Sequence, residues 1–202
     1  MKLIGMLDSP YVRRVAISLE LYGVAFEHEP LSVFSTFEAF SRINPAVKAP
    51  SLVLDDGSVL MDSTLILDYF EATSPASGKL LPQQPQALAK ALRTLGLALA
   101  ACEKTVQIVY EHNLRPAEKL HQPWLERVTR QLLAACTELE QQLLAERAQE
   151  PRLDQAAITS AVAWSFMQLM LPDVVKADDF PSLGAHAERL ECSDLFKRYP
   201  IA

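Results

Sequence analysis

Along residues 1–75 the spacing of apolar positions changes repeatedly. Lys2–Leu7 is a short apolar run that predicts a buried strand. Asp8 or Ser9 then offers a helix cap, and Pro10 suits the first helical position. Val12, Val15, Leu19 and Tyr22 follow at helical spacing, and Gly23 closes that helix. Ala25–Leu31 predicts a second strand, and Phe37, Phe40 and Ile43 predict a short helix ending at Asn44-Pro45. Ser51–Leu54 and Val59–Met61 flank Asp55-Asp56-Gly57, which has the chemistry of a hairpin turn. Asp62 or Ser63 caps a helix that carries Leu65, Ile66, Tyr69 and Phe70. The order is β-α-β, an irregular helical segment, then β-β-α. A helix between two strands predicts a parallel pair, and the Asp-Gly turn predicts an antiparallel one.

Residues 74–85, SPASGKLLPQQP, hold three prolines and a glycine and form the clearest linker. Beyond them every pattern is helical. Leu88, Leu92, Leu95, Leu99, Cys102, Val106 and Val109 alternate steps of four and three and predict one apolar stripe. Trp124 opens a helix with Val128, Leu132, Ala135, Leu139 and Leu143 on one face. Asp154 caps a third helix, apolar nearly all round and therefore central. Phe180–Glu191 and Ser193–Arg198 read as short terminal helices. The division expected is an α/β domain over 1–77, a linker over 78–86 and an all-α domain over 87–202.

A chain of 202 residues, half of them hydrophobic, can bury a core without staples. Its formal net charge of -6 argues against a nucleic-acid binder and against adhesion to anionic membranes. The start MKLIGMLDSPYVRR is too short in its apolar part, and too soon interrupted by Asp8 and Pro10, to read as a signal peptide. The most apolar segment, near 156–171, contains Thr159, Ser160, Ser165 and Gln168 and reads as a buried helix, not a membrane span. A cytoplasmic protein is expected. Three cysteines, Cys102, Cys136 and Cys192, are odd in number and widely spaced, so neither disulfides nor a zinc site is expected. The four histidines lack metal-ligand spacing.

Three segments carry a resemblance: Ser9-Pro10-Tyr11-Val12-Arg13-Arg14-Val15, Asn44-Pro45-Ala46-Val47-Lys48-Ala49-Pro50, and Val59-Leu60-Met61-Asp62-Ser63 leading into an apolar helix. In this order, before an all-helical second half, they resemble the cytosolic glutathione S-transferases, particularly bacterial ones. The resemblance implies a thioredoxin-like glutathione-binding domain, then a helical domain supplying a pocket for an electrophile. It implies a detoxifying transferase, with glutathione as co-substrate, no permanently bound cofactor or metal, and a homodimer.

Glutathione carries two carboxylates, an ammonium and a thiol, and its thiolate is the reactive form. Ser9, where a strand passes into a helix, is implied to donate to that sulfur beside the positive helix end; it would equally serve as a plain cap. Tyr11 is a second hydroxyl close by, or a packed aromatic. The Ser-Pro-Tyr-Val stretch resembles a glutaredoxin Cys-Pro-Tyr-Cys without its cysteines, so a dithiol cycle is unavailable there. The resemblance implies a cis bond before Pro50 that presents the Ala49 backbone to an extended peptide. Lys48 is implied for the glycyl carboxylate, or is a surface lysine. Asp62 and Ser63 are implied for the γ-glutamyl ammonium and carboxylate, though both are also good caps. Tyr11, Tyr110 and Arg115 are candidates for the electrophile pocket, with His112, Asn113 and Trp124 near the last two. Arg115 suits an acidic co-substrate. The alternatives are a non-catalytic binding or regulatory protein of the same fold, or a glutathione-dependent isomerase, dehalogenase or peroxidase.

Overall fold

The apolar runs of the first segment become strands β1 (Lys2–Ile4), β2 (Glu27–Glu29), β3 (Ser51–Val53) and β4 (Val59–Met61) in the computed structural model, which describes residues 1–146 and 153–201. The sheet order is β2-β1-β3-β4. β1 lies parallel to β2 and antiparallel to β3, and β3 is antiparallel to β4. Both kinds of pairing follow from the connections: a helix joins the parallel pair and the Asp-Gly turn joins the antiparallel one. Helices α1 (Pro10–Leu21), α2 (Phe37–Ile43) and α3 (Ser63–Thr73) complete this part. α1 and α3 pack together, closing a core of Leu3, Val12, Val15, Leu19, Leu52, Ile66 and Phe70.

Two strands are shorter than expected, for local reasons. β1 stops at Ile4 and does not reach Leu7, because Gly5 takes φ +138° and turns the chain. β2 covers only Glu27–Glu29 of the Ala25–Leu31 run, since Pro30 has no N–H for the ladder. His28 bonds through its ring Nε2 with the Gly5 carbonyl at 2.8 Å, which gives that histidine a structural place.

The chain divides into two units, Met1–Pro82 with Ser193–Ala202, and Gln83–Cys192. The second contains α4 (Pro85–Leu114), α5 (Gln122–Glu146), α6 (Gln155–Met170) and α7 (Pro181–Glu191). The stripe expected on α4 needs correcting. Its buried row is Ala91, Leu95, Ala98, Ala101, Cys102, Thr105 and Ile108, while Leu92 stands 45% exposed. α4 packs against both α5 and α6, and small side chains let helix backbones approach closely, so the larger residues fall on the flanks. On α5 the expected face is buried at Val128, Leu132, Ala135 and Leu139. α6 is buried almost all round, and Asp154 caps it through the Ala157 N–H at 3.0 Å. Glu140 accepts from the Ser182 and Leu183 N–H groups at 2.8 Å and so caps α7 with a carboxylate.

The last helix, α8 (Asp194–Lys197), groups with the sheet and not with the helical unit that the pattern extended to 202. Its tie is Arg13, which is fully buried: Nε donates to the Tyr199 carbonyl at 2.7 Å, and the guanidinium lies 5.5 Å from the centre of the Phe196 ring. Among the described residues no helix is long and apolar enough to cross a membrane, and no cluster of His, Cys, Asp and Glu is placed to hold a metal. Cys102 and Cys136 are buried and Cys192 is exposed; burial pushes the Cys136 thiol up to about 12.

A Cβ built on Gly5 would stand 2.5 Å from Val12 Cγ2. Gly5→Ala therefore combines overpacking with a positive φ and is predicted to cost about 2–4 kcal/mol in urea unfolding.

Candidate functional site

The register places several segments at one end of the sheet. Ile4, the last residue of β1, faces Ser51, the first of β3, which faces Met61, the last of β4. The β1–α1 turn with Ser9, the loop with Lys48 and Ala49, and the start of α3 with Asp62 and Ser63 therefore leave the sheet at the same edge. The helix N-termini of α1 and α3 both start there, each a source of N–H groups and positive potential.

Ser9 is the N-cap of α1. Its Oγ accepts from the Val12 N–H at 3.5 Å, a long bond, and its hydroxyl proton has no acceptor among the described residues. Pro10 follows at the first helical position, where its missing N–H costs nothing. Tyr11 is half-buried in the next position.

The loop before β3 contains a cis Ala49–Pro50 bond. A chain of buried polar groups fixes its shape. Asn44 Nδ2 donates to Ser51 Oγ at 2.8 Å, Ser51 Oγ donates to the Lys48 carbonyl at 2.8 Å, and Asn44 Oδ1 accepts from the Ala46 N–H at 3.0 Å. The Ala49 N–H and C=O have no partner among the described residues, which leaves both able to pair with an added extended segment. Lys48 Nζ lies 3.6 Å from Asp62 Oδ2, with both side chains about half exposed.

Asp62 caps α3 from a positive φ of 72°, its Oδ1 accepting from the Thr64 N–H at 2.9 Å. Ser63 is 3% exposed, and its Oγ accepts from Arg14 Nη1 at 3.0 Å. Arg14 is itself 1% exposed and also reaches Thr64 Oγ1 at 3.4 Å. With a guanidinium donating to its oxygen, the Ser63 hydroxyl must send its own proton elsewhere, and no described residue receives it. The Ser63 N–H, at the first position of α3, is likewise unspent. An N–H, an O–H and a helix end, with a buried guanidinium behind them, are donors of the kind a carboxylate accepts from.

The structure thus brings Lys48 and Asp62 together and sets Ser63 against Arg14. Tyr110 and Arg115 line one cavity of the helical unit together with Trp124, while Tyr11 belongs to the sheet-bearing unit. Arg14, Asn44 and Ser51 were not singled out from the sequence. The available signal for Arg14 was its place in α1, PYVRRVAISLEL, where the neighbouring positions leave hardly any polar face for it to share.

Residues 3–78 match the family model described as the glutathione S-transferase N-terminal domain. The chain is 26% identical over 198 residues to the uncharacterized GST-like protein YibF of Escherichia coli K12, covering 98% of this chain and 97% of that one. A glutathione transferase family member from Pseudomonas fluorescens Pf-5 with bound glutathione is 31% identical, with a TM-score of 0.86 over 100% of this chain and 98% of its own. A glutathione S-transferase from Methylobacterium radiotolerans, in complex with glutathione sulfonate, is 27% identical with a TM-score of 0.89, covering 100% and 95%.

Asp62→Ala removes a cap and places a Cβ residue without Asp's local hydrogen bond at positive φ, whereas Asp62→Gly relieves the backbone. Thermal unfolding is predicted to show a loss of about 2 kcal/mol for Asp62→Ala and less than half of that for Asp62→Gly.

Proposed function

Because the chain belongs to the glutathione S-transferase family, we propose that it binds glutathione at the edge of the sheet and activates the thiol for attack on an electrophilic small molecule. The observation that carries this reading is the start of α3, where Ser63 has an N–H and an O–H to give and Arg14 stands behind it. The γ-glutamyl carboxylate takes those donors, and Asp62 faces the ammonium. The cysteinyl backbone pairs with the N–H and C=O of Ala49. Lys48 takes the glycyl carboxylate. In this arrangement the sulfur comes to the N-terminus of α1, where the Ser9 hydroxyl donates to it.

The chemistry follows from that placement. A hydrogen bond and the positive helix end both favour the charged sulfur, so the thiol loses its proton to water at a lower pH. The thiolate then forms a carbon–sulfur bond as the electrophile's leaving group departs with its electron pair. The electrophile occupies the cavity of the helical unit that contains Tyr110 and Arg115. No resident cofactor or metal is required by this scheme. The setting we infer is the cytoplasm, where free thiols such as Cys102, Cys136 and Cys192 stay reduced.

We further read the protein as a homodimer. Val59 and Met61 on the edge strand β4, and Leu65 and Tyr69 one turn apart on α3, leave apolar side chains exposed at 38%, 42%, 62% and 41%. Large exposed apolar groups gathered on adjoining elements mark an interaction surface. Sedimentation of the wild type should give twice the chain mass, and Leu65→Glu should give a monomer; a monomeric wild type would end this reading.

Calorimetric titration should show saturable glutathione binding that Ser63→Ala abolishes. With a chloronitrobenzene electrophile, Ser9→Ala should lower kcat/KM about 100-fold. It should also move the rising limb of the pH–rate profile to higher pH, since the thiol then ionises later. Absence of binding at millimolar glutathione would refute the transferase reading.

A further inference from the structure

The helical unit contains an open cavity of about 520 Å³ between the end of α4 and the start of α5. Val106, Leu114, Pro116 and Trp124 give it apolar walls, and Trp124 presents a broad flat surface at 38% exposure. Its polar groups are Gln107, Tyr110, Glu111, Arg115 and Lys119. Their charges are not equally available. Glu111 is 7% exposed, and its Oε1 takes Arg115 Nε at 2.8 Å and the His121 N–H at 3.3 Å. The Nη edge of Arg115 has no partner among the described residues, and neither has Lys119 Nζ. One acid therefore offsets one of two cations, and a positive charge is left over beside the apolar wall. Glu118, on the same turn as Lys119, does not line the cavity. In a chain of net charge -6, a cavity with a spare cation and a flat apolar wall stands out.

We propose that this cavity selects flat apolar molecules bearing a carboxylate, aromatic acids above all: the ring lies against Trp124 and Leu114, and the carboxylate meets the free edge of Arg115 together with Lys119. A guanidinium edge matches a carboxylate with parallel hydrogen bonds, and a flat apolar body against an aromatic wall removes both from water. A neutral relative of the same shape keeps the second interaction and loses the first. That these acids are the electrophilic substrates rests on the transferase reading above; that the cavity binds them does not.

The test is titration of the full chain, without glutathione, with trans-cinnamate and with trans-cinnamide, followed by calorimetry and by tryptophan fluorescence. The acid should bind at least tenfold more tightly than the amide, and added salt should reduce the difference. Lys119→Gln, which removes no side-chain hydrogen bond or ion pair among the described residues, should lower the affinity for the acid several-fold and leave the amide unchanged. Arg115→Gln should reduce the acid to the level of the amide. Trp124→Phe should remove the fluorescence response. An amide that binds as tightly as the acid overturns the proposal, as does a cinnamate affinity that neither charge substitution alters. Glutathione titrated into the same samples separates the two readings. Cinnamate binding without glutathione binding keeps this site and removes the transferase reading; glutathione binding without cinnamate binding removes this site alone.

Discussion

A buried guanidinium is costly unless its donors are spent, and Arg14 spends one of them on Ser63 and Thr64 at the start of α3. That bond does more than satisfy a charge. It links two helices that reach the sheet edge by separate routes, and it fixes the direction of a hydroxyl that would otherwise rotate. Ser63 receives on one side and can give only on the other. The polarity of the proposed ligand site is thus set from behind, by a residue of α1 that need not touch what is bound.

The surrounding elements hold the same edge. Gly5 lets β1 turn out of the sheet without striking Val12 or Ala49, and the Asn44–Ser51–Lys48 chain of hydrogen bonds shapes the loop that presents Ala49. Asp62 sits at positive φ so that α3 can begin directly after β4. These are short strands with little ladder to stabilise them, so the polar contacts at their ends carry much of the local order.

Local chemistry was legible in the sequence wherever the cause is local. Helix caps at Ser9, Asp62 and Asp154, the Asp-Gly hairpin, the strand–helix alternation and the apolar α6 all depend on neighbours within a few positions. What escaped depends on residues far apart. Nothing near Arg13 and Arg14 in the sequence shows that Tyr199, Phe196 and Ser63 surround them. The leucines of α4 form a clean stripe in sequence, yet packing on two sides favours the row of small residues beside it. Trp124 follows the helical pattern, but its period says nothing of the cavity it walls. Of the site itself, the residue types and their order could be read, while the guanidinium behind Ser63 and the division of the charges around Glu111 could not.

The return of residues 193–201 to the sheet-bearing unit bears on how the protein is made. Translation makes the strands and α1 before the helical unit, but Arg13 has neither its carbonyl acceptor at Tyr199 nor the Phe196 ring until the residues beyond that unit are added. The sheet-bearing unit is therefore completed only after the helical unit has been made. During elongation Arg13 lacks these two partners, and the helical unit, continuous in sequence, can consolidate first.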